Sequence, residues 1–127
     1  MQAGYAFLNA SAQGLPVHLW VIISDPEQDA ANVLIVNLTS WKPHHDQSCI
    51  LREGDHPWIQ HKSCVNYPDA KITSIGVLKE LRDKGLITPK APFSPAVLER
   101  IRAGAGESEE LKNAHRMLLR QQELIED

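Results

Sequence analysis

Two runs of the chain, VHLWVIIS at residues 17–24 and NVLIVNLTS at residues 32–40, restrict its fold more than any other feature. Each is dense in β-branched and aromatic residues and too short for an independent helix, so each reads as a buried strand. The first ends at the breaker Asp25-Pro26, and the polar residues 27–32 connect it to the second. The pair is therefore expected to be antiparallel through a short loop. Beyond the polar WKPHHDQ at residues 41–47, residues 48–51 read as a third, shorter strand. Arg52-Glu53-Gly54-Asp55 is turn chemistry. Residues 58–65 and 71–75 add two further extended pieces. Short strands at this spacing, with no helical period between them, predict a small barrel or sandwich.

Past residue 75 the apolar period changes from about two to about 3.6. Ser74 is placed to cap a helix whose apolar face is Val77, Leu78 and Leu81, with Gly85 at its end. Ser94-Pro95 is an N-cap followed by proline at the first helical position, where the missing N–H costs nothing. Val97, Leu98 and Ile101 supply the buried stripe of that helix, and Gly104 and Gly106 are expected to stop it. From Ser108 a last helix is expected to run to residue 124, about four or five turns, with Leu111, Leu118 and Ile125 buried. Its apolar face is wide, taking in Met117, Leu119 and Leu124, which leaves open whether it packs on the strands or meets another chain.

A chain of 127 residues with 43% hydrophobic content can bury one core, so a single domain over 1–127 is expected, with a β-barrel core at 1–75 and helices over 76–127. Thirteen Lys and Arg against 16 Asp and Glu leave a net charge of −3, which argues against a standing basic surface for duplex DNA but not against a compact single-strand site. No apolar run approaches bilayer length, and residues 1–15 lack the pattern of a signal peptide, which together predict a cytoplasmic protein with no membrane contact. Cys49 and Cys64 are expected to be small buried thiols.

The polar chemistry gathers between His18 and Tyr67. Four of the six histidines, His44, His45, His56 and His61, fall within one window of 18 residues. Imidazole is the side chain best suited to proton transfer near neutral pH, so such a cluster raises the case for acid–base catalysis. His44-His45 sits in a Pro-flanked loop and reads as a solvated pair. Gly54-Asp55-His56-Pro57-Trp58 differs, because a turn glycine, a carboxylate, an imidazole and a large stacking face adjoin at a strand entrance. Thr39-Ser40 closes the second long strand, and Ser63 follows His61 by two, so their side chains share a side of an extended backbone. A strand-end hydroxyl ordinarily caps local backbone. Only convergence with an imidazole across the sheet would give it catalytic or phosphate-binding work.

Cys49, His56, His61 and Cys64 also have the spacing C-x6-H-x4-H-x2-C, which holds both ligand types that zinc accepts but lacks the close C-x2-C pairs of zinc ribbons. A zinc-stabilised adaptor is therefore one rival reading, while the main expectation involves no metal and no cofactor. A glycine-rich phosphate loop, a G-x-S-x-G elbow and an H-E-x-x-H helix are absent from the sequence.

The order of features resembles the MazF/PemK (Kid-like) toxin family, ribosome-independent endoribonucleases of toxin–antitoxin modules. His18-Leu19-Trp20-Val21-Ile22-Ile23-Ser24 is similar to that family's R-P-x-V-V-L-S strand, and Val36-Asn37-Leu38-Thr39-Ser40 to its P-x-T-[ST] strand end. Ser63-Cys64-Val65 resembles the later core strand, and Ser94-Pro95-Ala96-Val97-Leu98-Glu99-Arg100-Ile101 the helix entrance. The resemblance implies an SH3-like barrel of the MazF/PemK/CcdB type, decorated by about three helices, that forms a homodimer, pairs with an antitoxin protein and cuts single-stranded RNA. It places Thr39 and Ser40 at the catalytic strand end. The family's Arg is replaced by His18, six residues before Ser24, so phosphate charge must meet another cation, from His18, His56, His61 or Lys62. The catalytic set expected is thus His56, His61, Thr39, Ser40 and His18, with Lys62, Trp58 and Ser63 as RNA-binding residues. A catalytically silent barrel that binds a protein partner is the other rival. Residues 75–92 have no counterpart in the family pattern.

Overall fold

A computed structural model describes residues 1–10 and 16–126; residues 11–15, part of the stretch tested for a signal peptide, and Asp127 lie outside the description. The strands are β1 (Ala6–Asn9), β2 (Leu19–Ile22), β3 (Val33–Ser40), β4 (Ile50–Leu51), β5 (Ser63–Thr73) and β6 (Ile87–Lys90). The helices are α1 (Ile75–Asp83), α2 (Pro95–Glu107) and α3 (Asn113–Gln121). The strands form one six-stranded sheet in the order β4-β5-β3-β2-β1-β6, with every neighbouring pair antiparallel. Among the described residues β4 and β6 are the sheet's unpaired edges, so it is open. The protein is thus mainly β with three helices, and the two long apolar runs are adjacent strands as expected, Val21 opposite Val36.

Continuous apolar runs arise because both faces of the sheet are covered. Leu19, Val21 and Ile23 of the β2 run and Leu34, Val36 and Leu38 of β3 join a core closed by Val97, Leu98, Ile101 and Leu119. Trp20, Ile22, Val33 and Ile35 point the other way into a smaller core with Phe7, Ile87 and Leu78 of α1. The pieces expected at 58–65 and 71–75 are largely one strand, β5, carrying a bulge. From the pair Ile35–Lys71 to Asn37–Asn66, β3 advances two residues while β5 advances five. Pro68, which has no N–H to give a ladder, falls in that bulge. The bulge turns Tyr67 into the larger core, where its hydroxyl donates to the Ile101 carbonyl at 2.7 Å.

The helix signals hold at both ends of α1 and at the start of α2, and fail at the end of α2 and at both ends of α3. Ser74 and Ser94 cap α1 and α2 by accepting from the N–H of Val77 and Val97, and Gly85 takes φ 72° after α1. Gly104 and Gly106 do not stop α2, which continues to Glu107. A Cβ on Gly104 would meet the Tyr67 hydroxyl, lie 2.8 Å from the Cys49 Cβ and 2.9 Å from the Ser48 carbonyl oxygen. Gly104 is therefore a close-packing residue beneath the bulge. The last helix is shorter than expected, 9 residues, because the Ser108 hydroxyl donates to Asp46 and the Ser108 carbonyl accepts from Arg116, holding the preceding residues in a bend. Leu111 is buried, but Leu118 and Ile125 are half-buried, and Leu119 at 0% exposure takes the core position. Among the described residues no helix is long and apolar enough to cross a membrane.

Neither β1 nor β6 is among the strands expected from the sequence. β6 brings part of the stretch expected to be helical back into the sheet beside β1, with Pro89 opposite Phe7.

Candidate functional site

The site is a product of the β3–β5 register. Pairing Thr39 with Cys64 and Ser40 with Ser63 carries the residues before β5 past the end of β3. The Ser40 hydroxyl and His61 Nε2 consequently meet at 2.7 Å across 21 residues of chain. On the other flank of β3, His18 stands one residue ahead of β2, and its Nδ1–H donates to the Leu38 carbonyl at 3.0 Å. A carbonyl can only accept, so that bond places the proton of the neutral ring on Nδ1 and leaves Nε2 as an acceptor.

Between these elements lies a groove of about 460 Å³, lined from three places: residues 16–18, residues 38–40 of β3, and residues 58–61 with Ser63. Of the residues expected to act together, His18, Thr39, Ser40, Trp58, His61 and Ser63 line it. Among the described lining residues none is Lys, Arg, Asp or Glu, so the two imidazoles are the ionisable groups there. The Ser63 hydroxyl donates to the His61 carbonyl at 3.0 Å, shaping the turn that presents the ring.

Two expected members lie elsewhere. Lys62 does not line the groove; its ammonium sits 3.7 Å from the centre of the Trp41 ring, a cation–π contact. His56 is the larger correction, because it was expected to fold over the sheet beside Thr39 and is instead 3% exposed on the Phe93 ring, centroids 4.5 Å apart. Its Nε2–H donates to the Ala91 carbonyl at 2.6 Å, and its Nδ1 accepts the Trp58 backbone N–H at 3.0 Å. With both nitrogens engaged, the ring is a fastener between the β4–β5 loop and the segment after β6. Arg100 of α2 reinforces it, donating from Nη1 to Asp55 Oδ1 at 2.8 Å and from Nη2 to the Ile50 carbonyl at 2.9 Å. Burial pushes the Asp55 carboxyl up, but the bond from Arg100, the Arg52 N–H and the two guanidinium charges outweigh it and hold the group below the usual carboxylate range.

The four residues of the zinc spacing are not gathered. Cys49 and Cys64 are buried free thiols, each pushed up to about 11 chiefly by burial, while His56 is committed to Phe93 and Ala91 and His61 to Ser40. Among the described residues no group of three or more His, Cys, Asp or Glu is arranged to hold a metal ion. His44 and His45 stay in their loop, ring against ring at 4.4 Å.

One positioning residue escaped the sequence reading. Asn9, the last residue of β1, accepts on Oδ1 from the His18 N–H at 2.7 Å and from Trp20 Nε1 at 3.3 Å, and donates from Nδ2 to the Pro16 carbonyl at 3.1 Å. It fixes the segment that delivers His18 to the groove. Its bond to the adjacent Ala10 carbonyl does not mark this role, since the partners that set it, Pro16, His18 and Trp20, follow seven or more residues later.

Compared with known proteins, the chain matches no protein-family profile and no curated protein in sequence. Among solved structures its fold is similar to that of an endoribonuclease in complex with its cognate antitoxin from a mycobacterial species, with a TM-score of 0.56 and 16% identity. The superposition covers 88% of this chain and 97% of that one, so the open sheet with its helices is a fold shared nearly end to end.

Proposed function

We propose that this chain is a toxin-like endoribonuclease that cuts single-stranded RNA by metal-independent acid–base catalysis, using His18, His61, Ser40 and Thr39. The observation that carries the reading is the 2.7 Å contact of Ser40 with His61 inside a groove that His18 and Thr39 also line. In the reaction, His18 Nε2 takes the proton of a ribose 2′-OH while that oxygen bonds to the adjacent phosphorus. The bond from phosphorus to the 5′ oxygen breaks, and His61, as imidazolium, returns a proton to the departing oxygen from Nδ1, the nitrogen Ser40 does not occupy. The products are a 2′,3′-cyclic phosphate and a 5′-hydroxyl. An imidazolium donating to Ser40 Oγ frees the serine hydrogen for a phosphoryl oxygen, and Thr39 offers a second hydroxyl. Lys62, over Trp41 and outside the groove lining, would meet RNA backbone only beyond the groove, while Ser63 supports the His61 turn.

The fold neighbour is an endoribonuclease bound to an antitoxin. That likeness supports a toxin-like ribonuclease with an antitoxin as partner. On the motif resemblance we extend the proposal to a MazF/PemK-type toxin in which the open sheet is a variant of the SH3-like barrel, 1–127 acts as one cytoplasmic domain, and the working form is a homodimer. His56 leaves the catalytic set on geometric grounds.

The test is cleavage of single-stranded RNA by the purified chain, with and without a chelator. Activity should survive chelation, and His18→Ala or His61→Ala should each slow it by about two to four powers of ten with the fold intact. Full activity in the double variant would remove both rings from the mechanism. A folded wild-type chain that cuts no RNA and arrests no growth on expression would return the groove to the reading of a silent, partner-binding protein.

A further inference from the structure

Exposed large apolar side chains are few among the described residues, and two of them, Val17 at 36% and Trp58 at 41% exposure, line the Ser40–His61 groove. Trp58 is not exposed because its loop is loose. It follows two residues after His56, 3% exposed, and directly precedes Ile59, 6% exposed. Its own N–H is bonded to His56 Nδ1 at 3.0 Å, and the Ile59 N–H to the His56 carbonyl at 3.0 Å. The chain thus fastens the backbone on both sides of residue 58 and still leaves a large indole in solvent, in a lining with no fixed charge among the described residues. Trp41, by contrast, has the Lys62 ammonium over its ring.

A rigid aromatic face beside a pair of imidazoles suits a flat apolar group attached to a phosphodiester. We propose that the indole of Trp58 is a stacking platform for a nucleobase, with Val17 completing the apolar contact, and that stacking there sets the ribose and phosphate against Ser40 and His61. The inference rests in part on the RNA-cleaving reading, but it concerns binding and is tested separately from cleavage. Stacking uses the π-face that every base has, so the platform takes bases with little regard to identity and makes the site a single-strand site, because a paired and stacked base cannot lie on it.

The experiment is binding of the full chain to short fluorescent 2′-O-methyl oligoribonucleotides of each base, which lack the 2′-hydroxyl and cannot be cut by the proposed chemistry. Trp58→Phe should bind within a few-fold of wild type, while Trp58→Leu and Trp58→Ala should weaken every oligonucleotide by about 5- to 100-fold, the range expected for one stacked base. Melting curves that match wild type confirm that these exposed-site variants fold. Binding of Trp58→Leu equal to wild type, or no binding by wild type, overturns the platform whatever the cleavage assay shows. Binding that depends on the Trp58 ring in a chain that cuts no RNA sustains the platform and ends the endoribonuclease reading instead.

Discussion

Replacing His56 by Ala separates a fastener from a catalyst. The ring makes two buried hydrogen bonds, to the Ala91 carbonyl at 2.6 Å and from the Trp58 N–H at 3.0 Å, each worth about 1 kcal/mol net. Its contact with the Phe93 ring, centroids 4.5 Å apart, adds about 0.5–1.5 kcal/mol. The loss expected for His56→Ala is therefore about 3 kcal/mol. For a chain of 127 residues, an unfolding entropy of about 2.1 cal/mol/K per residue is about 0.27 kcal/mol/K, so Tm should fall by about 11 °C. His56→Asn keeps an acceptor where Nδ1 stands and gives up the bond to Ala91, so it should fall between wild type and Ala. His61→Ala, at an exposed position, should leave Tm nearly unchanged. Thermal melts followed by circular dichroism, with urea titrations as a second measure, decide the matter. An unchanged Tm for His56→Ala together with lost RNA cleavage would show that the ring acts in the reaction, and the assignment made from its hydrogen bonds would be wrong.

Gly104→Ala should lower stability by about 1–3 kcal/mol, measured by urea unfolding, because its Cβ would lie 2.8 Å from Cys49 Cβ and 2.9 Å from the Ser48 carbonyl oxygen within a packed core. Leu119→Ala should cost about 2–5 kcal/mol and the half-buried Leu118→Ala clearly less, so equal losses would contradict the placement of α3. Asp55 has a depressed pKa in the folded chain, so its share of stability is present at neutral pH and is lost as pH falls from the ordinary 3.8 through the folded value. Asp55→Asn should therefore lower Tm at neutral pH and flatten its decline in that acid window, and an unaltered acid profile would show the Arg100 pair to be energetically silent.

The parts of the fold that were legible are those whose causes are local. Residues 17–24 and 32–40 carry their strand signal in their own β-branched side chains, and Ser74 and Ser94-Pro95 mark helix starts through bonds that reach only three residues ahead. The end of α2 and the start of α3 were less legible because distant groups set them. Gly104 reads as a stop until Tyr67 and Cys49 are seen to need its missing Cβ, and the last helix reads long until Asp46, 62 residues away, holds Ser108 in a bend. β6 was hidden by Pro89, a breaker in isolation, which an edge strand tolerates because one side of its backbone has no ladder to serve.

The site shows the same division more sharply. His56 and His61 are the same residue type five positions apart, and nothing in their immediate sequence distinguishes their roles. What separates them is contributed from far along the chain. Phe93 and the Ala91 carbonyl, the latter 35 residues on, take His56 into a buried seat, while Ser40, 21 residues back, meets His61 at the groove. The strand register is the reason for the second encounter: with Ser40 opposite Ser63, position 61 must pass the end of β3, and a shift of one residue would send the neighbouring side chains to the opposite face. The clustering of histidines therefore located a region, and the β3–β5 ladder selected which of them face the groove. The loop fastened by His56 is what lets the second one do so from a fixed position.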